Sequence, residues 1–104
     1  MHNFKNLEIW KISRSFCSKI YYSTDNFPEK EKFGIINQMR RAAVSIPSNI
    51  AEGASRKSNK DFCRFLEIAI GSCYELETQL LISNDIGFLS NECLENLTNE
   101  LNRI

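Results

Sequence analysis

Six positions, Ile36, Met39, Ala43, Ile46, Ile50 and Gly53, recur along one stretch at steps of 3, 4, 3, 4 and 3 residues. That spacing is the stripe of a helix that buries one face. It keeps its phase straight through Pro47, within the run QMRRAAVSIPSNIAEGASRKS at residues 38–58. An interior proline removes one backbone hydrogen bond and crowds the carbonyl four residues back, at about 3 kcal/mol. An unbroken stripe therefore predicts a proline-kinked helix rather than a loop. Ser45, Ser48 and Asn49 are placed to bond the backbone groups that such a kink frees, and Gly53 is a natural stop.

A second stripe follows at Phe62, Leu66, Ala69, Cys73, Leu76, Leu80 and Ser83, with steps of 4, 3, 4, 3, 4 and 3. Phe65, Ile68, Ile70, Tyr74 and Leu81 widen it nearly all round, which predicts a helix buried on several sides, within this chain or against other subunits. Ser58 with Asp61 three residues later resembles a capping box at its start, and Asn84, Asp85 and Gly87 end it. Upstream, Leu7, Trp10, Cys17 and Tyr21 form one stripe and Ile9, Phe16 and Ile20 an adjoining one. The turn DNFPEKE closes that helix, with Pro28 suited to the first turn of the next. Downstream, Ser90 is a good N-cap for a segment carrying Leu94, Leu97, Leu101 and Ile104. The chain stops on that last apolar position, so the final helix is either short or trimmed.

Four amphipathic helices, roughly 6–24, 29–53, 59–85 and 91–104, joined by short turns, predict an all-α fold. The expected architecture is an antiparallel up-down-up-down four-helix bundle, a single domain over residues 1–104. Folding the second and third helices together sets Ala42 and Ala43 level with Ala69, Ile70 and Gly71. Small residues would meet there, which would account for a glycine inside a helix.

Composition narrows the function classes. Lys+Arg and Asp+Glu both number 13, so any contact with nucleic acid has to come from a local patch. The one histidine is His2, and Cys17, Cys63, Cys73 and Cys93 contain no C-x-x-C pair, so no metal site or cofactor is expected. The cysteines read as small core residues of a protein kept reduced in the cytoplasm. No apolar run approaches the ~20 residues of a membrane span. There is no G-x-S-x-G, and AEGASRKS lacks the G-x-x-x-x-G-K-[ST] spacing of a phosphate loop. Glu75 and Glu77, two apart on a helix, diverge. The chain reads as no enzyme.

Two groups of cations remain. Arg40, beside the stripe, is expected to pair with Glu75 or Glu77 across the helix pair, leaving Arg41 more available. Arg56, Lys57, Lys60 and Arg64 gather at the turn between the second and third helices, with Glu52, Asp61 and Glu67 the nearest acids. Together with Arg41 they are the candidate nucleic-acid contacts; the alternative is a solvated turn.

The run QMRRAAVSIPSNIAEGASRKSNKDFCRFLEIAIGSCYELETQL resembles the signature of a bacterial family of four-helix-bundle proteins, those encoded within intervening sequences of 23S ribosomal RNA genes. The likeness lies in R-R-A-A-x-S-I-P-S-N-I-A-E-G, in S-x-x-D-F-x-R-F-L and in A-x-G-S-x-x-E-L-E-T-Q-L. Leu7, Trp10 and FPEKEKFG also fit, so it covers residues 4–90. The resemblance implies a left-handed antiparallel bundle assembled as a ring-like homopentamer, with a last helix longer than the one here. A related branch, the accessory variability determinants of diversity-generating retroelements, binds nucleic acid and a reverse transcriptase through a basic pentamer surface; this chain departs from it in having no net charge. Two readings stay open: an oligomer whose basic end meets RNA, DNA or a nucleic-acid enzyme, and a self-assembling adaptor that binds a protein partner without nucleic acid.

Overall fold

The computed structural model describes residues 2–104 and contains four α-helices: α1 (Glu8–Thr24), α2 (Ile35–Ala54), α3 (Asn59–Asp85) and α4 (Asn91–Leu101). Short 3-10 turns cover Phe4–Asn6 and Glu29–Glu31, and the described residues contain no strand. Ser58 Oγ accepts from Asp61 N–H at 3.1 Å and Ser90 Oγ from Cys93 N–H at 3.1 Å, so α3 and α4 begin at the expected caps. Gly87, with φ of 84°, ends the third helix; Phe88 N–H reaches back to Ser83 O at 2.9 Å and Gly87 N–H to Asn84 O at 3.1 Å. That paired bonding needs a left-handed residue, which only glycine adopts cheaply.

The second helix starts later than its sequence pattern implies. Pro28 opens only the single turn Glu29–Glu31. The chain then bends at Gly34, whose ψ of −118° is not helical, and α2 begins at Ile35. α1 likewise begins at Glu8, after the turn that Asn3 caps, and α4 ends at Leu101. The helix α2 runs unbroken through Pro47 to Ala54. Of the polar side chains near the proline, Asn49 serves the backbone, donating from Nδ2 to Ser45 O at 2.8 Å. The Ser45 hydroxyl bonds instead to that of Ser72, at 2.9 Å.

Neighbouring helices run in opposite directions. Along α2 and α3 the contacts pair Gly53 with Phe65, Ser45 with Ser72, and Met39 with Ser83. Rising numbers on one helix meet falling numbers on the other. Arg40 meets Thr24, while His2 N–H reaches Ala54 O at 2.8 Å, so α1 opposes α2. Cys93 lies by Ser23 and Glu100 pairs with Lys19, so α4 opposes α1. α1 packs on α2 and α4, and α3 does the same; the diagonal pairs bring no Cα atoms within 8 Å of each other and meet only through the core.

All six residues of the α2 stripe are buried, and with Phe16, Ile20, Leu76, Leu80 and Leu97 they form the core. α3 is covered less completely. Its Ile68, Ile70, Leu81 and Ile82 are exposed, as is Ile86 just past its end, and Tyr74 is 69 % exposed. Length explains part of this: at about 1.5 Å per residue α3 is roughly 40 Å long, and α4 roughly 16 Å. Where α4 stops, an apolar groove of about 380 Å³ continues over Ile9, Ile50, Leu66, Ile70 and Tyr74.

The predicted level of α2 on α3 is displaced by about one turn. Ser45 stands opposite Ser72, so Ala42 and Ala43 lie beyond the Ala69–Gly71 level, and Gly71 faces open space with nothing within 4 Å of a Cβ placed on it. Gly53 is the tight glycine. A Cβ there would come within 2.8 Å of Phe65 Cβ and 3.0 Å of Phe62 Cδ1. The cysteines also divide: Cys17, Cys73 and Cys93 are half-buried, whereas Cys63 faces solvent, because it lies on the outer side of α3.

The glycine contrast is measurable by urea denaturation. Gly53→Ala should lose about 1–3 kcal/mol through overpacking, while Gly71→Ala should be neutral or gain about 0.5–1 kcal/mol of helix propensity. Thiol chemistry checks the second contrast. Burial pushes the Cys17 and Cys73 thiols above their ordinary pKa, so at pH 8 an alkylating reagent should modify Cys63 first and those two last.

Candidate nucleic-acid interface

The two adjacent arginines of α2 face different neighbours. Arg40 does not reach Glu75 or Glu77. Its Nε donates to Thr24 Oγ1 at 2.9 Å, and its Nη2 donates to Tyr21 O at 3.2 Å and to Asp25 Oδ1 at 2.9 Å. The guanidinium also lies over the Tyr21 ring, 4.6 Å from its centroid. The C-terminus of α1 attracts it for a simple reason: the last carbonyls of a helix lack partners and carry partial negative charge, here reinforced by the Asp25 carboxylate. The expected Arg40–Glu75 pair is thus replaced by a cap on α1, since Arg40 lies on the α1 side of α2.

Arg41, one residue on, turns toward α3. It lines an open groove of about 340 Å³ together with Gln38, Ser45, Ser72, Glu75 and Gln79. Arg41 and Glu75 line this groove from opposite helices without forming an ion pair: the ion pairs of the described residues involve neither. Gln79 is only 8 % exposed, and its Oε1 has no hydrogen-bond partner among the described residues. A buried carbonyl left unbonded costs on the order of 1–3 kcal/mol. Sequence patterning did not single out Gln38 or Gln79. The available signal was the one-turn spacing of Glu75 and Gln79 on α3, which faces Arg41 and Ser45 at the same spacing on α2.

The remaining predicted contacts come together at the α2–α3 turn. Arg56 and Arg64 lie over one ring, that of Phe65, at 4.7 and 5.6 Å. Phe65 is itself held close to the backbone of Gly53. Each arginine has an acidic neighbour on its own helical turn: Arg56 Nη2 is 3.4 Å from Glu52 Oε1, and Arg64 Nη2 is 4.0 Å from Asp61 Oδ1. Lys57 and Lys60 are exposed and take part in no ion pair among the described residues. Beside them the His2 ring packs at a 45° tilt against Phe62, centroids 5.1 Å apart, tying the N-terminal segment to this end. Arg41 does not belong to the cluster; it lies thirteen residues, about 20 Å of helix, before the end of α2 at Ala54. Chemically this end offers four cations and two flat guanidinium faces. The described residues hold no group of metal-ligating side chains.

The family model described as 23S rRNA-intervening sequence protein matches residues 5–104 of this chain. No curated protein matches it.

A double-mutant cycle tests the reassignment of Arg40. Arg40→Ala alone should cost about 1–3 kcal/mol, because it strips bonds from Thr24 and from the end of α1. Combined with Glu75→Ala it should be additive within about 0.5 kcal/mol. Coupling with Asp25→Ala, and none with Glu75→Ala, is the expected pattern in urea melts.

Proposed function

Because this chain belongs to the 23S rRNA-intervening sequence protein family, we propose that it is a non-enzymatic, oligomeric bundle protein whose α2–α3 end contacts RNA or another nucleic acid. One observation carries this reading: Lys57 and Lys60 stand exposed and outside the ion pairs of the described residues, beside two arginines held over the Phe65 ring. The ion pairs of Arg56 and Arg64 are solvent-exposed, so each is worth about 1 kcal/mol or less. A phosphate would displace Glu52 or Asp61 at little cost and gain a charge-assisted bond. Overall neutrality makes the contact local, a few phosphates per protomer, and symmetry would multiply it.

Oligomerisation is supported by a separate observation. Ile70, Tyr74 and Leu81, on the edge of α3 away from the Arg41–Glu75 groove, are exposed in a single chain. Large apolar faces of this kind mark subunit contacts, and a homopentamer is the assembly that the resemblance implies. The same edge favours the second reading, an adaptor that self-assembles and meets a protein, such as a nucleic-acid enzyme, without touching nucleic acid. The setting proposed is the bacterial cytoplasm, where free thiols persist. No helix of the described residues is long and apolar enough to cross a membrane.

Light scattering should give an oligomer at micromolar concentration; a monomer would count against both readings. RNA and DNA retention should fall steeply with salt, with a log–log slope of about −2 to −4 for each protomer in contact. Lys57→Glu with Lys60→Glu should flatten that slope by about 2 while leaving the melting curve unchanged, since both side chains are exposed. Salt-insensitive retention, or none at low salt from a well-formed oligomer, would leave the adaptor reading standing alone.

A further inference from the structure

We propose that the groove between α2 and α3 binds an unpaired nucleobase by its edge, and that guanine is the base it fits. The groove is separate from the basic end and is built from different chemistry. Arg41 on the α2 wall offers only donors, and Glu75 on the α3 wall only acceptors. Neither is neutralised by an ion pair among the described residues. At its edge lies the amide of Gln79, nine-tenths buried and with Oε1 unpartnered. Ser45 and Ser72, joined at 2.9 Å, bridge the two helices between the walls.

A simple anion would satisfy Arg41 and be repelled by Glu75, and a simple cation would do the reverse. The occupant must carry acceptors at one end and donors at the other. Guanine does: O6 and N7 accept from a guanidinium, and the adjacent N1–H and N2–H groups donate to one carboxylate. Adenine and cytosine present a single exocyclic amine beside a ring nitrogen whose lone pair would face Glu75. Uracil presents one N–H between two carbonyls. The size is suitable, since about 340 Å³ is near the lower end of small-ligand sites and the groove is open enough for a base to enter by one edge.

The inference rests on the nucleic-acid reading only for the source of the base, which is either a single strand held at the basic end or a free guanine nucleotide. Guanosine, inosine and adenosine separate the two questions, because they carry no phosphate. Calorimetry on the assembled protein should show saturable guanosine binding, with adenosine at least about fivefold weaker and inosine, which lacks the N2 amine, between them. Glu75→Gln should abolish the guanosine preference, and guanosine binding should persist at salt concentrations that release oligonucleotides. Short single strands with and without guanine then identify the source: a guanine preference in the strand points to nucleic acid, and nucleoside binding without strand binding points to a free nucleotide. Equal binding of guanosine and adenosine, no saturable binding, or an unchanged preference in Glu75→Gln would overturn the proposal. Salt-dependent strand binding without base preference would overturn it while leaving the basic-end reading intact.

Discussion

Where Gly53 meets Phe65, α2 lacks a side chain and the aromatic residue of α3 occupies the space that one would need. The two longest helices therefore approach almost backbone to backbone at the end where they join, with Phe65 Cβ and Phe62 O the near atoms. From that point the pair runs back past Ser45 and Ser72, and on to Met39 and Ser83. The contact also fixes Phe65 beneath Arg56 and Arg64, so the residue whose Cβ meets Gly53 supports the two guanidinium groups with its ring. Core packing and the basic end share one residue. A change at Gly53 would disturb both.

The level set by that contact separates the two arginines. With α3 on one side of α2 and α1 on the other, consecutive residues about 100° apart on the helix point to different neighbours. Arg40 falls toward α1 and becomes its C-terminal cap, while Arg41 falls toward the groove with Glu75 and Gln79. One arginine is absorbed by the fold, and its sequence neighbour remains available for recognition. The short α4 has a comparable effect on the opposite side. It covers only part of α3, leaving an apolar groove beyond its end and an apolar edge on the longest helix.

Much of the framework was legible in the residues because helical periodicity and end signals are local. The α2 stripe, Ser58 and Ser90 as caps, and Gly87 as a stop all hold in three dimensions. The cluster of Arg56, Lys57, Lys60 and Arg64 was equally plain, since a turn keeps sequence neighbours together. The late start of α2 was not, because Pro28 and the acids after it suit the first turn of a long helix as well as the isolated turn they form.

Registry and direction were the quantities that the amino-acid order left open. Stepping patterns say which face of a helix is buried but not how far one helix slides along another, and a shift of one turn preserves every stripe. That shift moved the close approach from Gly71 to Gly53. The α1–α2 packing turned Arg40 from Glu75 to Asp25, and the pairing of α2 with α3 brought Gln79 to the edge of a groove that no single helix reveals. The sequence by itself determined four helices, their polarity patterns, the family and the basic turn. Only the tertiary structure decided which charges are spent on holding helices together and which remain free, because that depends on distances between segments far apart in the chain.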